Sequence, residues 1–217
     1  MVRCALILLL LMACSPQPTQ AEPSKVPIAK NVKVATFAGG CFWCMETAFE
    51  GMAGVHAVVS GYMGGPELNP TYKEVARGRT GHAEVVQVTF DPKLVSYELL
   101  LTTFWFNVDP FALNQQFCDR GTQYRSGIFF HGDEQKASAM ASAIRAKHNT
   151  NLSGAFQVEI TEASIFYPAE DYHQDYYLKN PSHYKRYRNG CGRDRRLKAI
   201  WGSSRSGVEI QKSRQAK

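Results

Sequence analysis

No apolar run in this chain of 217 residues reaches the about 20 residues that a membrane-spanning helix needs. The longest, in MVRCALILLLLMAC, follows one arginine and suits a secretory signal instead. No internal repeat is visible, which excludes a solenoid. Finger, recognition-helix and RNP patterns are also missing, so the formal charge of +6 does not read as nucleic-acid binding. The basic excess falls between Lys185 and Lys217, leaves the rest of the chain net acidic, and reads as a solvated tail. Only one C-x-x-C pair is present where a structural zinc ribbon shows two, so no metal is expected. Among the histidines, His82 and His173 are the best placed, yet neither comes with the base and orienting group that a cysteine hydrolase needs.

The composition, 44% hydrophobic and 20% charged, is that of a single globular domain at this length. Four segments are expected: a signal over 1–13, a Pro-rich polar linker over 14–30, one folded domain over 31–201, and a basic disordered tail over 202–217. Leu11-Met12-Ala13-Cys14 resembles a bacterial lipobox, which would make Cys14 a lipid anchor. Ordinary cleavage after Thr19-Gln20-Ala21 stays open beside it. Either way the chain reads as exported, periplasmic or membrane-anchored.

Short alternating apolar runs separated by helical spacing predict an α+β domain with helices packed on a mixed sheet. Strands are expected at Val32–Ala38, Val55–Tyr62, Ala83–Phe90, Ser126–His131 and Phe156–Ala163. Helices are expected at Phe42–Met52, Thr71–Arg77, Tyr97–Asn107, Asp133–Asn149 and Asp171–Leu178. After Ser182 the periodicity fades, so Tyr184–Trp201 is expected to wrap the domain as a long irregular segment.

With Cys4 and Cys14 in the signal, four cysteines remain: Cys41, Cys44, Cys118 and Cys191. They permit three disulfide pairings, a zinc site or redox catalysis. In GGCFWC, a Gly39-Gly40 turn sets Cys41 at a helix N-terminus, where unpaired N–H groups and the helix dipole favour a thiolate. Phe42 and Trp43 point about 100° apart, so at least one is expected to line a pocket suited to a methyl or thioether group. C-x-x-C after a strand is also the thioredoxin-type redox pattern, and that reading stays open.

Three further stretches carry too many specific polar residues for packing alone: NPTYKEVARGRTGHAEVV (69–86), QFCDRGTQYRS (116–126) and YPAEDYHQDYY (167–177). Together with GGCFWC they resemble the A-class peptide methionine sulfoxide reductases over about Val34–Trp201. The resemblance implies a ferredoxin-like core and a thiol-dependent reduction of the S-epimer of methionine sulfoxide, free or in oxidised proteins. It implies Cys41 as nucleophile, Phe42 and Trp43 as the walls around the sulfoxide methyl, and Glu84 as the acid that meets the oxygen. Tyr72 and Tyr124 would supply hydroxyls, and Asp119 would organise the site.

Attack by Cys41 would leave a sulfenic acid, and Cys191, flanked by glycines, is the expected resolving thiol. A thioredoxin-like partner would reduce the resulting disulfide, with no cofactor, in a monomer. Family members often have glycine at the position of Cys44, and Cys44 and Cys118 are expected to be inert packing residues. A thioredoxin-like oxidoreductase using Cys41 and Cys44, and a non-enzymatic methionine-binding module, are the alternatives.

Overall fold

The computed structural model describes residues 31–202. The expected signal, the linker with Cys14, and the tail beyond Gly202 lie outside the described residues.

In chain order the elements are β1 (Lys33–Gly39), α1 (Phe42–Phe49), β2 (Val55–Met63), α2 (Tyr72–Ala76), β3 (Ala83–Phe90), α3 (Tyr97–Trp105), β4 (Gln115–Gln116), β5 (Asp119–Arg120), β6 (Ser126–Phe130), α4 (Asp133–Asn149), β7 (Glu159–Glu162), β8 (Tyr167–Pro168), α5 (Tyr176–Lys179), α6 (Pro181–Gly190) and α7 (Arg193–Trp201). The main sheet has the order β7-β6-β1-β3-β2-β8, and β4 and β5 form a separate small hairpin. The central order β6-β1-β3-β2 is antiparallel throughout, as expected of a ferredoxin-like core. β7 adds to the β6 edge in parallel, which makes the sheet mixed.

Alternation along the strands sorts the two faces. Ala35 and Phe37 of β1 join Val86, Val88 and Phe90 of β3 under α1, α3 and α4 in the main core. There Phe37 stacks on Phe49 at 5.0 Å and on Phe104 at 5.4 Å. Ala38, Val85 and Phe129 face the other way, where Ala163 and Phe166 give a thinner cover. Helix starts are set locally: Ser96 Oγ accepts from Leu99 N at 3.2 Å, and the Glu74 carboxylate accepts from both Thr71 N and Thr71 Oγ1 ahead of α2.

Three expectations need correcting. The segment beyond Ser182 is not irregular but forms α6 and α7, and α7 buries Leu197, Ile200 and Trp201 in the main core. Asn180-Pro181 begins α6 with proline at the first helical position, a start signal that the basic composition hid. The helix expected over Asp171–Leu178 shrinks to Tyr176–Lys179, because Asp175 is left-handed (φ 53°) and interrupts it. The last strand loses its first residues because Phe156 packs on Trp105 and Phe111 at 5.5 and 5.3 Å instead of joining the sheet.

Arg193, at the start of α7, is buried and reaches back beneath the β1–α1 turn. Its guanidinium donates to Gly39 O at 3.1 Å and Asn107 O at 2.6 Å and lies over the Phe117 ring at 4.4 Å. Arg193→Met should therefore lower unfolding stability in urea by about 2–4 kcal/mol, since charged hydrogen bonds to buried carbonyls are lost. The same change at exposed Arg195 should move it by less than about 0.5 kcal/mol.

Candidate active site

The turn that ends β1 is built for close approach. Gly40 has φ +79°, and a Cβ there would run into Gln116, whose side chain is fixed by two 2.8 Å hydrogen bonds with the Asp109 backbone. The chain then enters α1 with Cys41 as its N-cap and Phe42, Trp43 and Cys44 on its first turn.

A cleft of about 240 Å³ opens over this turn, lined by Cys41, Phe42, Trp43, Tyr72, Glu84, Asp119, Tyr124, His183 and Tyr187. Seven of the eight site residues expected from the sequence are therefore brought together, contributed by α1, α2, β3, β5 and the short 3₁₀ turn at Thr122–Tyr124. The eighth, Cys191, lines a neighbouring cavity beside Gly192 and Arg195 and is joined to Cys118 in a disulfide. Cys118 is thus not the inert packing residue expected: it is exposed and bonded, one position before Asp119.

Glu84 is 2% exposed, and its Oε2 accepts from the Phe42 backbone N–H at 3.0 Å. Burial outweighs that hydrogen bond and, with Asp119 and Cys44 adding negative charge, pushes its carboxyl up to about 8. Near neutral pH it is a protonated acid. Burial, and then the Glu84 charge, also raises the Tyr72 and Tyr124 phenols, so both hydroxyls keep their protons.

The cysteine pair does not behave as the helix-terminus argument implies. Burial, then Cys44, Glu84 and Asp119, raise the Cys41 thiol well above its ordinary value. Cys44 is lowered to about 6, first by the hydrogen bond from Cys41, which outweighs burial, and further by the Arg193 and Arg188 charges. Within the pair the push is upward on Cys41 and downward on Cys44.

The aromatic wall is clamped. Trp43 stacks on Tyr176 at 3.7 Å and donates its indole N–H to His173 Nδ1 at 3.1 Å. Burial lowers His173 to about 4, so the ring is neutral and able to accept that bond. Phe42 is almost wholly buried, with His173 at 5.0 Å and Tyr62 at 6.0 Å between ring centroids, and shows only part of its ring to the cleft. His82 has a different place: it accepts from Gly65 N at 3.2 Å and meets Glu67 O at 2.8 Å, fixing a loop.

His183 and Tyr187 escaped the sequence reading because they lie on α6, expected to be irregular. Their i,i+4 spacing after Asn180-Pro181 was the available signal. Tyr187 donates its hydroxyl to Asp119 at 2.5 Å, which ties α6 to the β4–β5 hairpin.

A family model described as "Peptide methionine sulfoxide reductase" matches residues 33–205. The chain is 47% identical over 176 residues to the peptide methionine sulfoxide reductase MsrA of Bacillus subtilis, covering 81% of this chain and 99% of that protein. Among solved structures it is similar to the methionine sulfoxide reductase A of Corynebacterium diphtheriae at 32% identity and TM-score 0.66, covering 72% of this chain and 78% of that one. It is also similar to Mxr1 of Saccharomyces cerevisiae in reduced form, at 34% identity and TM-score 0.64, covering 70% and 87%.

With carboxyl carbons labelled, the Glu84 resonance should titrate near 8, where an ordinary glutamate titrates near about 4.3. Glu84→Gln should remove that resonance, and a midpoint below about 6 would show that water reaches the carboxyl.

Proposed function

This chain belongs to the peptide methionine sulfoxide reductase family, and on that premise we propose that it reduces the S-epimer of methionine sulfoxide, free or in proteins, by thiol chemistry at Cys41. The observation that carries this reading is the meeting of a buried thiol, a protonated carboxyl and two protonated phenols around one small aromatic-walled cleft.

A sulfoxide sulfur resists attack until its oxygen is protonated, because the oxygen would otherwise leave with negative charge. Glu84 supplies that proton, with Tyr72 and Tyr124 donating hydrogen bonds to the same oxygen. The substrate methyl sits against Phe42 and Trp43, where sulfur and methyl groups pack well on aromatic rings. Asp119 holds Tyr187 at the cleft edge. Cys41 attacks the sulfur, methionine leaves, and Cys41 retains the oxygen as a sulfenic acid.

The sulfenic acid closes to an intramolecular disulfide, and a thioredoxin-like dithiol returns the enzyme to its reduced state by exchange. Cys191 is bonded to exposed Cys118, one position before Asp119. No cofactor takes part in any step. The biological role is repair of oxidised proteins outside the cytoplasm, a reading supported by the apolar run after Arg3.

Reduced protein mixed with peptides carrying each epimer should form methionine from the S-sulfoxide only. Glu84→Gln should slow that single-turnover step by about 10²–10³-fold, since the proton donor acts only in the transition state. In the unsubstituted protein the step should slow as pH rises through about 8, where Glu84 loses its proton. Equal reduction of both epimers, or an unchanged rate in Glu84→Gln, would overturn these assignments.

A further inference from the structure

We propose that Cys44, not Cys191, is the thiol that first resolves the Cys41 sulfenic acid, forming a Cys41–Cys44 disulfide across the first turn of α1. The inference rests on the reductase reading and deepens it.

Two observations carry it. Cys41 and Cys44 are both buried and unbonded, while Cys118 and Cys191 are joined to each other. A closed disulfide holds no thiol to condense with a sulfenic acid, so with Cys118–Cys191 formed the thiols among the described residues that can supply the electrons for one turnover are Cys41 and Cys44. Cys44 N bonds Cys41 O at 3.1 Å, which fixes the two residues one turn apart.

Placing the two residues one turn apart also gives the step its proton balance. Cys44 sulfur accepts the Cys41 proton as Cys41 attacks the sulfoxide, which leaves Cys41 nucleophilic and Cys44 a thiol. Glu84 protonates the sulfoxide oxygen, methionine departs, and Cys41 carries S–OH. Cys44 sulfur then attacks Cys41 sulfur: the S–S bond forms, the S–OH bond breaks, and the Cys44 proton leaves with the hydroxyl as water. Methionine sulfoxide has gained two electrons and the cysteine pair has lost two. A dithiol reductant of the thioredoxin class restores the pair by exchange. Arg193 and Arg188 add positive charge around Cys44, which steadies its negative charge before the first step.

The test is a single turnover of the full chain, with Cys118–Cys191 closed and no reductant present, on a peptide carrying the S-sulfoxide. Methionine is counted, free thiols are alkylated, and the disulfides are mapped by mass spectrometry. The expected result is about one methionine per protein and a Cys41–Cys44 bond, formed also in Cys118→Ser/Cys191→Ser. In Cys44→Ser, dimedone should trap the Cys41 sulfenic acid in most of the protein, against less than about a tenth of it in the unsubstituted chain. Turnover with a dithiol reductant should fall at least about tenfold in that variant.

Methionine formed with Cys41 bonded to Cys191 or Cys118 overturns this proposal and leaves the reductase reading standing. So does equal dimedone trapping with and without Cys44. No methionine from either epimer overturns both.

Discussion

Cys41, Cys44, Glu84 and Asp119 are four acids around one poorly hydrated turn, and burial there makes each negative charge costly. Four charges cannot coexist in that space. The hydrogen bond from Cys41, then the Arg193 and Arg188 charges, draw Cys44 down against its burial. Glu84 responds by keeping its proton and Cys41 does the same. The acid that the reaction requires and the protonated nucleophile that rests beside it are therefore two results of one electrostatic constraint.

Much of the remaining fold holds that turn in place. Gly39 and Gly40 let the backbone pass against Met45 and Gln116, positions where any side chain would collide. Arg193 grips the Gly39 carbonyl from a helix more than 150 residues later in the chain, so the C-terminal segment completes the floor of the site. Glu170 makes a comparable tie on the other side: its carboxylate accepts from Tyr62 OH and Tyr72 N, both at 2.9 Å, and joins β2 to the start of α2. Gln174 pins the same strand through Ser60. The polar residues of YPAEDYHQDYY are therefore mainly ties and clamps, which explains why that stretch does not continue as a helix.

Local signals carried most of the fold. β3 and α4 begin and end where alternation and helical spacing place them. What was not legible depended on partners distant in sequence. Composition made the stretch from Lys185 read as tail, since its buried residues are few and widely spaced between arginines, and Arg193 itself is one of them. The site residues carried by motifs come together in the cleft, while His183 and Tyr187 sit on a helix whose basic sequence buries Tyr184 and shows little apolar periodicity. The cysteine pairing was open for a physical reason: four thiols allow three pairings, and only the folded hairpin β4–β5 brings Cys118 to the end of α6.

Selection between the two sulfoxide epimers demands more than a reactive thiol, because they differ only in where three groups point around one sulfur. A site distinguishes them when the methyl, the oxygen and the line of attack each have one fixed place. The methyl wall is fixed because His173 and Tyr176 hold Trp43 on two sides. The oxygen corner is fixed because Glu84 is anchored to the Phe42 backbone, the same turn that carries the nucleophile. The far edge is fixed because Tyr187 is bound to Asp119 while Cys191, at the end of the same helix, is bonded to Cys118. Rigidity in all three directions, set by contacts that no substrate need induce, is what turns a reactive cysteine into a stereoselective one.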